Sequence, residues 1–265
     1  MSGFHSPPEL RTFALLDQMV TILGSTKRAF WPFLNGTGNV TYPYGSGNDG
    51  GSLALNTSTI ELVMDPYKHV GGVFSYMNDS ATANLLAADS IQYTYASGAT
   101  DVPFSAGMWV LMQESVSDIR TIIAKYGSTA TTREYDFRIN GDGVLEMELY
   151  NETADTTEIA TSAGTAITPW KWEFVTMTYD GGETAPVINL YLNATSVHDG
   201  TSVESGAYVS MENTAAALMV GARDAAGTAA QVFQGRFALP FVAGKELTAA
   251  EVSTLYNIGR ILLGV

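Results

Sequence analysis

The sequence predicts an all-β fold: an antiparallel two-sheet sandwich with a helix at each end. Three observations carry this. Turn-formers recur every 8 to 15 residues after the first 30 or so, with little helix between them. The segments between turns alternate apolar and polar residues, or run apolar throughout. Helical spacing occurs in only two places, residues 6–24 and 249–258. With 46% hydrophobic and 15% charged residues, the 265-residue chain has enough apolar surface for a large packed core.

The first element is an amphipathic helix over 6–24. Ser6-Pro7-Pro8-Glu9 fits a capping box, and Leu10, Phe13, Ala14, Leu16, Val20 and Leu23 share a face that stops at Gly24. The helix either packs on its own domain or docks on a neighbour. Residues 1–27 are read as a helical arm and 28–265 as the β domain. "AFWPFL" starts the sheet, with Pro32 marking an edge or bulge. "YPYGSGNDGGSL" is loop, and 57–64 and 70–77 are short strands. "NDSATANLLAADS" fits no element, and "SIQYTY" alternates as a strand.

From Phe104 the pattern sharpens. "FSAGMWVLMQ" and "RTIIAKYG" are strands. "EYDFRINGDGVLEMELYN" is a hairpin turning at Asn140–Gly143. "WKWEFVTMTYDGG", "PVINLYLNAT", "AALMVGARD" and "QVFQGRFALPFV" follow as strands. Thr248-Ala249-Ala250-Glu251 is a second capping box, opening a helix that ends at Gly259.

Composition excludes several function classes. Thirteen basic against 27 acidic residues, a net charge of −14, argue against nucleic acid as a partner. No apolar run approaches the roughly 20 residues of a membrane span, and the N-terminus has no signal-peptide pattern. With no cysteine there are neither disulfides nor thiolate metal sites.

Taken in order, these segments resemble the laminin-G-like, concanavalin-A-like jelly-roll superfamily over about residues 28–260. The motifs are Phe30–Leu34, Phe104–Trp109, Ile122–Gly127, Asp142-Gly143, Trp172–Asp180, Leu190–Asn193 and Gly235–Tyr256. The resemblance implies an antiparallel two-sheet jelly-roll sandwich. Trp109, Trp172 and Tyr191 would face the core between the sheets. The final helix would lie across the end of the sandwich, over open backbone edges.

Some jelly rolls of this superfamily cleave β-glucans with a Glu-x-Asp-x-x-Glu strand. Here the nearest match, Glu134 to Ile139, has Ile where the acid belongs, and Glu146 and Glu148 lack the intervening Asp. No Gly-x-Ser-x-Gly or phosphate loop occurs. The three histidines, His5, His69 and His198, sit in the N-terminal tail or beside turns. No enzyme activity and no cofactor are therefore expected. Many relatives hold a structural calcium, but its usual acidic positions are Ala238 and Asn35 here. Asn48-Asp49 and Asp142 read as turn residues, so no metal site is expected.

Contact is thus favoured over catalysis. The resemblance extends to tailed-bacteriophage proteins with a short helix before such an aromatic strand. It implies a virion structural protein, a capsid decoration or tail-associated adhesin, partnered by itself or by other virion proteins. Leu10, Phe13, Leu16 and Val20 are then the assembly contacts. The alternative is a carbohydrate-binding module for a cell-surface or polysaccharide glycan, with Tyr42, Tyr44 and Trp170 as candidate sugar contacts.

Overall fold

The computed structural model describes residues 8–34, 40–41, 43–45, 53–55, 69–78, 84–98, 100–114, 117–127, 132–164, 167–182 and 187–265. Ser6-Pro7, Asn35, Tyr42, Asn48-Asp49, the 57–64 segment and His5 lie outside them. Helix α1 covers Pro8–Leu23. The early strands are short: β1 Arg28–Phe30, β2 Val40–Thr41, β3 Leu53–Leu55, β4 Tyr76–Asn78, β5 Leu85–Ala87, β6 Ala96–Ser97 and β7 Thr100–Asp101. The central strands are long: β8 Phe104–Met112, β9 Arg120–Tyr126, β10 Arg133–Ile139, β11 Leu145–Asn151, β12 Thr156–Ser162 and β13 Trp172–Tyr179. After them come β14 Ile188–Leu192, β15 Thr195–Ser196, β16 His198–Ser205, β17 Leu218–Val220, β18 Arg223–Ala225, β19 Thr228–Ala230, β20 Gly235–Ala243 and helix α2 Ala249–Leu263.

Two antiparallel sheets form the sandwich. One runs β1-β20-β8-β13-β14-β15, with β4 also on β20; the other runs β16-β12-β11-β10-β9-β17-β5-β3-β2. Side-chain alternation decides what lies between them. Phe104, Ala106, Met108, Val110 and Met112 of β8 meet Val175, Met177 and Tyr179 of β13, and Tyr135, Phe137 and Ile139 of β10. The fold is the all-β sandwich with one helix at each end of the chain.

The other face of the first sheet is buried too. Trp109, Phe174, Tyr191, Phe30 and Phe241 form a second core with Leu16, Met19 and Leu23 of α1 and Val252, Leu255, Ile258 and Leu262 of α2. This corrects two expectations. Trp109 and Tyr191 belong to this outer core, with Trp172 packed against it, and not to the space between the sheets. Helix α2 covers a sheet face and not an end: Tyr256 stacks on Trp109 at 5.4 Å and 12°. A strand buried on both faces reads as a continuous apolar run, so parity could not be assigned from "MWVLM". The helices lie antiparallel. Thr12 donates to the Gly71 carbonyl and Gly71 N to Leu262 O, while Gly24 sits against Lys245 beside the start of α2.

Helix α2 begins as expected. Glu251 N donates to Thr248 Oγ1 at 3.3 Å, and Thr248 N to Glu251 Oε2 at 2.9 Å. It does not stop at Gly259. The left-handed cap is Gly264 at φ 75°, and Gly259 is instead the point where α2 touches Trp109. Three strand expectations also change. Residues 91–93 form a 3-10 turn capped by Ser90, only 76–78 of the 70–77 segment is strand, and "AALMVGARD" splits into β17 and β18. Pro240 sits at a bulge: Ala238 pairs with Trp109 but Phe241 with Gly107. A proline cannot donate to the ladder, and here its carbonyl accepts from Trp31 N at 3.0 Å.

Candidate functional site

The outer face of the nine-stranded sheet carries a cluster of charged and phenolic side chains, several of them buried. Its residues are fixed by register. Tyr126 of β9 lies opposite Arg133 of β10, Asp136 opposite Glu148 of β11, and Arg138 opposite Glu146. Because Tyr135, Phe137, Leu145, Met147 and Leu149 point into the core, these partners point out.

Arg138 is the hub. Its guanidinium lies 3.1 Å from Asp136 Oδ2 and 2.5 Å from Glu148 Oε2, and Nε donates to Glu146 Oε1 at 2.7 Å. Burial works against its charge, but Asp136, Glu148 and Glu146 outweigh it and raise its pKa. Tyr150 donates to Glu148 at 2.5 Å. Burial and then the nearby Asp136 and Glu148 push the Tyr150 hydroxyl up, so it remains a donor. The Glu134–Ile139 strand that came nearest to a glucanase motif is therefore locked in ion pairs. Asp136 serves Arg138 and Arg223, and Glu134 turns inward to Lys125.

Beside the hub, guanidinium and phenol groups alternate. Arg223 lies 4.5 Å over the Tyr126 ring, Arg133 4.9 Å over Tyr150, and the two tyrosines meet edge to face at 5.4 Å. Arg133 is held by a two-pronged pair with Glu152, at 2.5 and 3.0 Å. Arg223 enters from the β18–β19 hairpin and reaches Asp136 at 3.2 Å. The hairpin is seated by Ala222 and Val232, which pack on Met219. Between hairpin and sheet lies a groove of about 340 Å³, lined by Leu86, Met219, Tyr126, Ala215, Asp224 and Thr228 among others. An apolar floor with a few polar groups on the walls is the usual make-up of a small-ligand site.

The residues singled out in the sequence lie elsewhere. Trp170 is 70% exposed and holds a left-handed backbone at φ 64°. It lies just before β13 and beside the end of β8, donating its N–H to Met112 O at 2.8 Å, near the β10–β11 turn that Ile167 N reaches through Gly143 O. Tyr44 is on the helix side, stacked with Phe13 at 6.4 Å and donating to Asp17 at 3.0 Å. Burial, then Asp17, pushes its hydroxyl up to about 12. Leu16 is buried within its own chain and offers nothing to a partner; Val20 is half-buried, and Leu10 and Phe13 stay exposed at 62% and 45%. Sequence reasoning missed the Tyr126–Arg133–Arg223 cluster because only strand register joins those positions.

Among the described residues, no three histidine, aspartate or glutamate side chains converge as a metal set. Ala238, in the calcium-ligand position, packs under the helices. No described helix is long and apolar enough to cross a membrane.

Solved structures share the fold. The botulinum neurotoxin serotype G binding domain aligns with a TM-score of 0.60 at 17% identity, covering 87% of this chain and 50% of that one. The binding domain of Paraclostridial Mosquitocidal Protein 1 gives 0.59 at 10% identity, over 89% and 52%. The CBM40 of the Ruminococcus gnavus IT-sialidase, bound to α2,3 sialyllactose, gives 0.50 at 14%, over 66% and 92%. The chain thus spans about half the length of the toxin domains it matches. No curated protein matches the sequence. Residues 87–253, well over half of the chain, match the concanavalin A-like lectin/glucanases superfamily, and this chain belongs to it.

Proposed function

We propose that this chain is a non-catalytic carbohydrate-binding module that holds a cell-surface or polysaccharide glycan on the outer face of its nine-stranded sheet. One observation carries the reading: the groove lined by Tyr126, whose ring packs against the Arg223 guanidinium and meets Tyr150 edge to face. Sugar rings present apolar faces to aromatic rings and hydroxyls to fixed polar groups. The guanidinium groups are already neutralised by Asp136 and Glu152, so the groove reads hydroxyls and ring faces more than charge. Sharing a fold with a sialyllactose-bound module and with toxin binding domains supports a binding role. Trp170 is a second candidate sugar contact, and Tyr44 and Tyr42 are weaker ones. A glycan array probed with the purified chain tests the reading, and Ala215→Arg, at an exposed groove position, should abolish the signal.

A second reading is favoured by a separate observation. Leu10, Phe13, Val70, Ile261 and Val265 are exposed apolar residues at the end where α1 starts and α2 finishes. They suit attachment to a larger particle, such as a virion, or to a second copy. Native mass spectrometry of the chain and of Phe13→Ser tests it. A mass that stays monomeric throughout removes self-association.

A further inference from the structure

Lys125 is a buried lysine with two carboxylates. Its register partners, Tyr135 and Leu218, both belong to the core between the sheets, and its side chain is fully buried. Nζ lies 3.1 Å from Asp89 Oδ1, contacts Glu134 Oε1 and donates to the Thr214 carbonyl at 2.9 Å. Glu134 is fully buried as well. Its Oε1 accepts from Thr214 N at 2.7 Å and Thr214 Oγ1 at 2.9 Å, while Oε2 has no partner among the described residues. Ionising a carboxyl in such a place is costly. Burial pushes the Glu134 carboxyl up, against the pull of Lys125.

The surroundings are aromatic and fixed. Tyr93, Tyr95 and Tyr135 are all buried. Tyr135 donates to the Tyr93 carbonyl at 3.0 Å, and Tyr93 donates to the carbonyl of Ala88, the residue before Asp89. Asp89 is thereby held against the amine. Its side chain is 40% exposed, which leaves a route to solvent on the far side. A nucleophile, an electrophilic carboxyl and a proton carrier thus meet in a site that excludes water from the amine.

We propose that Lys125 and Asp89 condense to an intramolecular isopeptide bond, with Glu134 carrying the protons. Lys125 Nζ attacks Asp89 Cγ. The C–N bond forms, one Cγ–O bond breaks, and two protons pass by way of Glu134 from the nitrogen to the departing oxygen, which leaves as water. Ammonium plus carboxylate gives amide plus water, so the step balances without oxidant, reductant or co-substrate, and Glu134 ends as it began. The product replaces the buried Lys125 charge and its partly exposed Asp89 partner with one neutral amide, which removes the desolvation penalty of the buried amine. It ties the segment after β5 to β9, across the intervening β17. The proposal does not depend on sugar binding.

The intact mass of the folded full chain tests it. One water below the sequence mass is expected, with a branched proteolytic peptide joining the Asp89 and Lys125 segments. Asp89→Ala and Glu134→Gln should each restore the full mass. A folded wild-type chain at its full sequence mass overturns the proposal, as does a water loss confined to a linear Asp89 peptide, which marks an internal imide. The wild-type result decides the matter even if a variant does not fold.

Discussion

Trp170 pairs a large exposed ring with a backbone conformation that side-chain-bearing residues avoid. Trp170→Gly is expected to leave stability within about 1 kcal/mol of wild type, since glycine suits positive φ, while any glycan contact made by the ring is lost. A thermal melt alongside a binding assay checks both. Arg138 is the opposite case. Replacing it with Met leaves Asp136, Glu146 and Glu148 clustered without their shared cation, at a cost of about 3–5 kcal/mol, measurable by urea denaturation. His69 gives a pH signature. It is buried beneath Trp172 with Nδ1 3.0 Å from the Leu263 carbonyl, and burial, outweighing that carbonyl, lowers its pKa. Its neutral form is therefore the folded one. Stability is full above the unfolded value of about 6.5 and falls as pH drops toward the lower folded value. His69→Gln should flatten this part of the melting-temperature profile. Placement was legible where local sequence sets it, as for the loop position and exposure of Trp170. It was hidden where register sets it: Arg223 meets Asp136 only because the hairpin folds back over β9.

At the scale of elements, capping chemistry and turn glycines were readable, so the β10–β11 hairpin and the start of α2 stand where the sequence put them. Strands β12 and β16 escaped notice because "TTEIATS" and "HDGTSVES" are small and polar, with too little hydrophobic contrast to show a period. The role of Gly259 also needed the structure. In the sequence it looks like a helix stop; in the fold it lets α2 rest on the Trp109 indole. Gly259→Ala gains about 1 kcal/mol in helix propensity. The added methyl runs into the ring, and overpacking costs about 1–3 kcal/mol or more. The net expectation is a lower melting temperature, and a rise would show that the helix moves away freely.

At the scale of the molecule, three layers stack: the helix pair, the first sheet and the nine-stranded sheet. The N-terminal helix is built into this stack. Leu16, Met19 and Leu23 are fully buried in it, and burying each is worth about 1.5–3 kcal/mol. Deleting residues 1–25 should therefore lower the melting temperature sharply, beyond any effect on assembly. EDTA should leave it unchanged, since Ala238 and its neighbours pack as hydrocarbon. The helices occupy the outer face of the first sheet, while the groove lined by Tyr126 and Met219 lies on the outer face of the second. The most direct test of this account is a titration of the purified chain with the best glycan from an array, repeated with Tyr126→Ala and Ala215→Arg. The account predicts saturable binding to wild type, weakened about tenfold or more in both variants, the equivalent of about 1.4 kcal/mol, with each variant still folded. Undiminished binding in both folded variants, or no glycan bound by the wild-type chain, would contradict it.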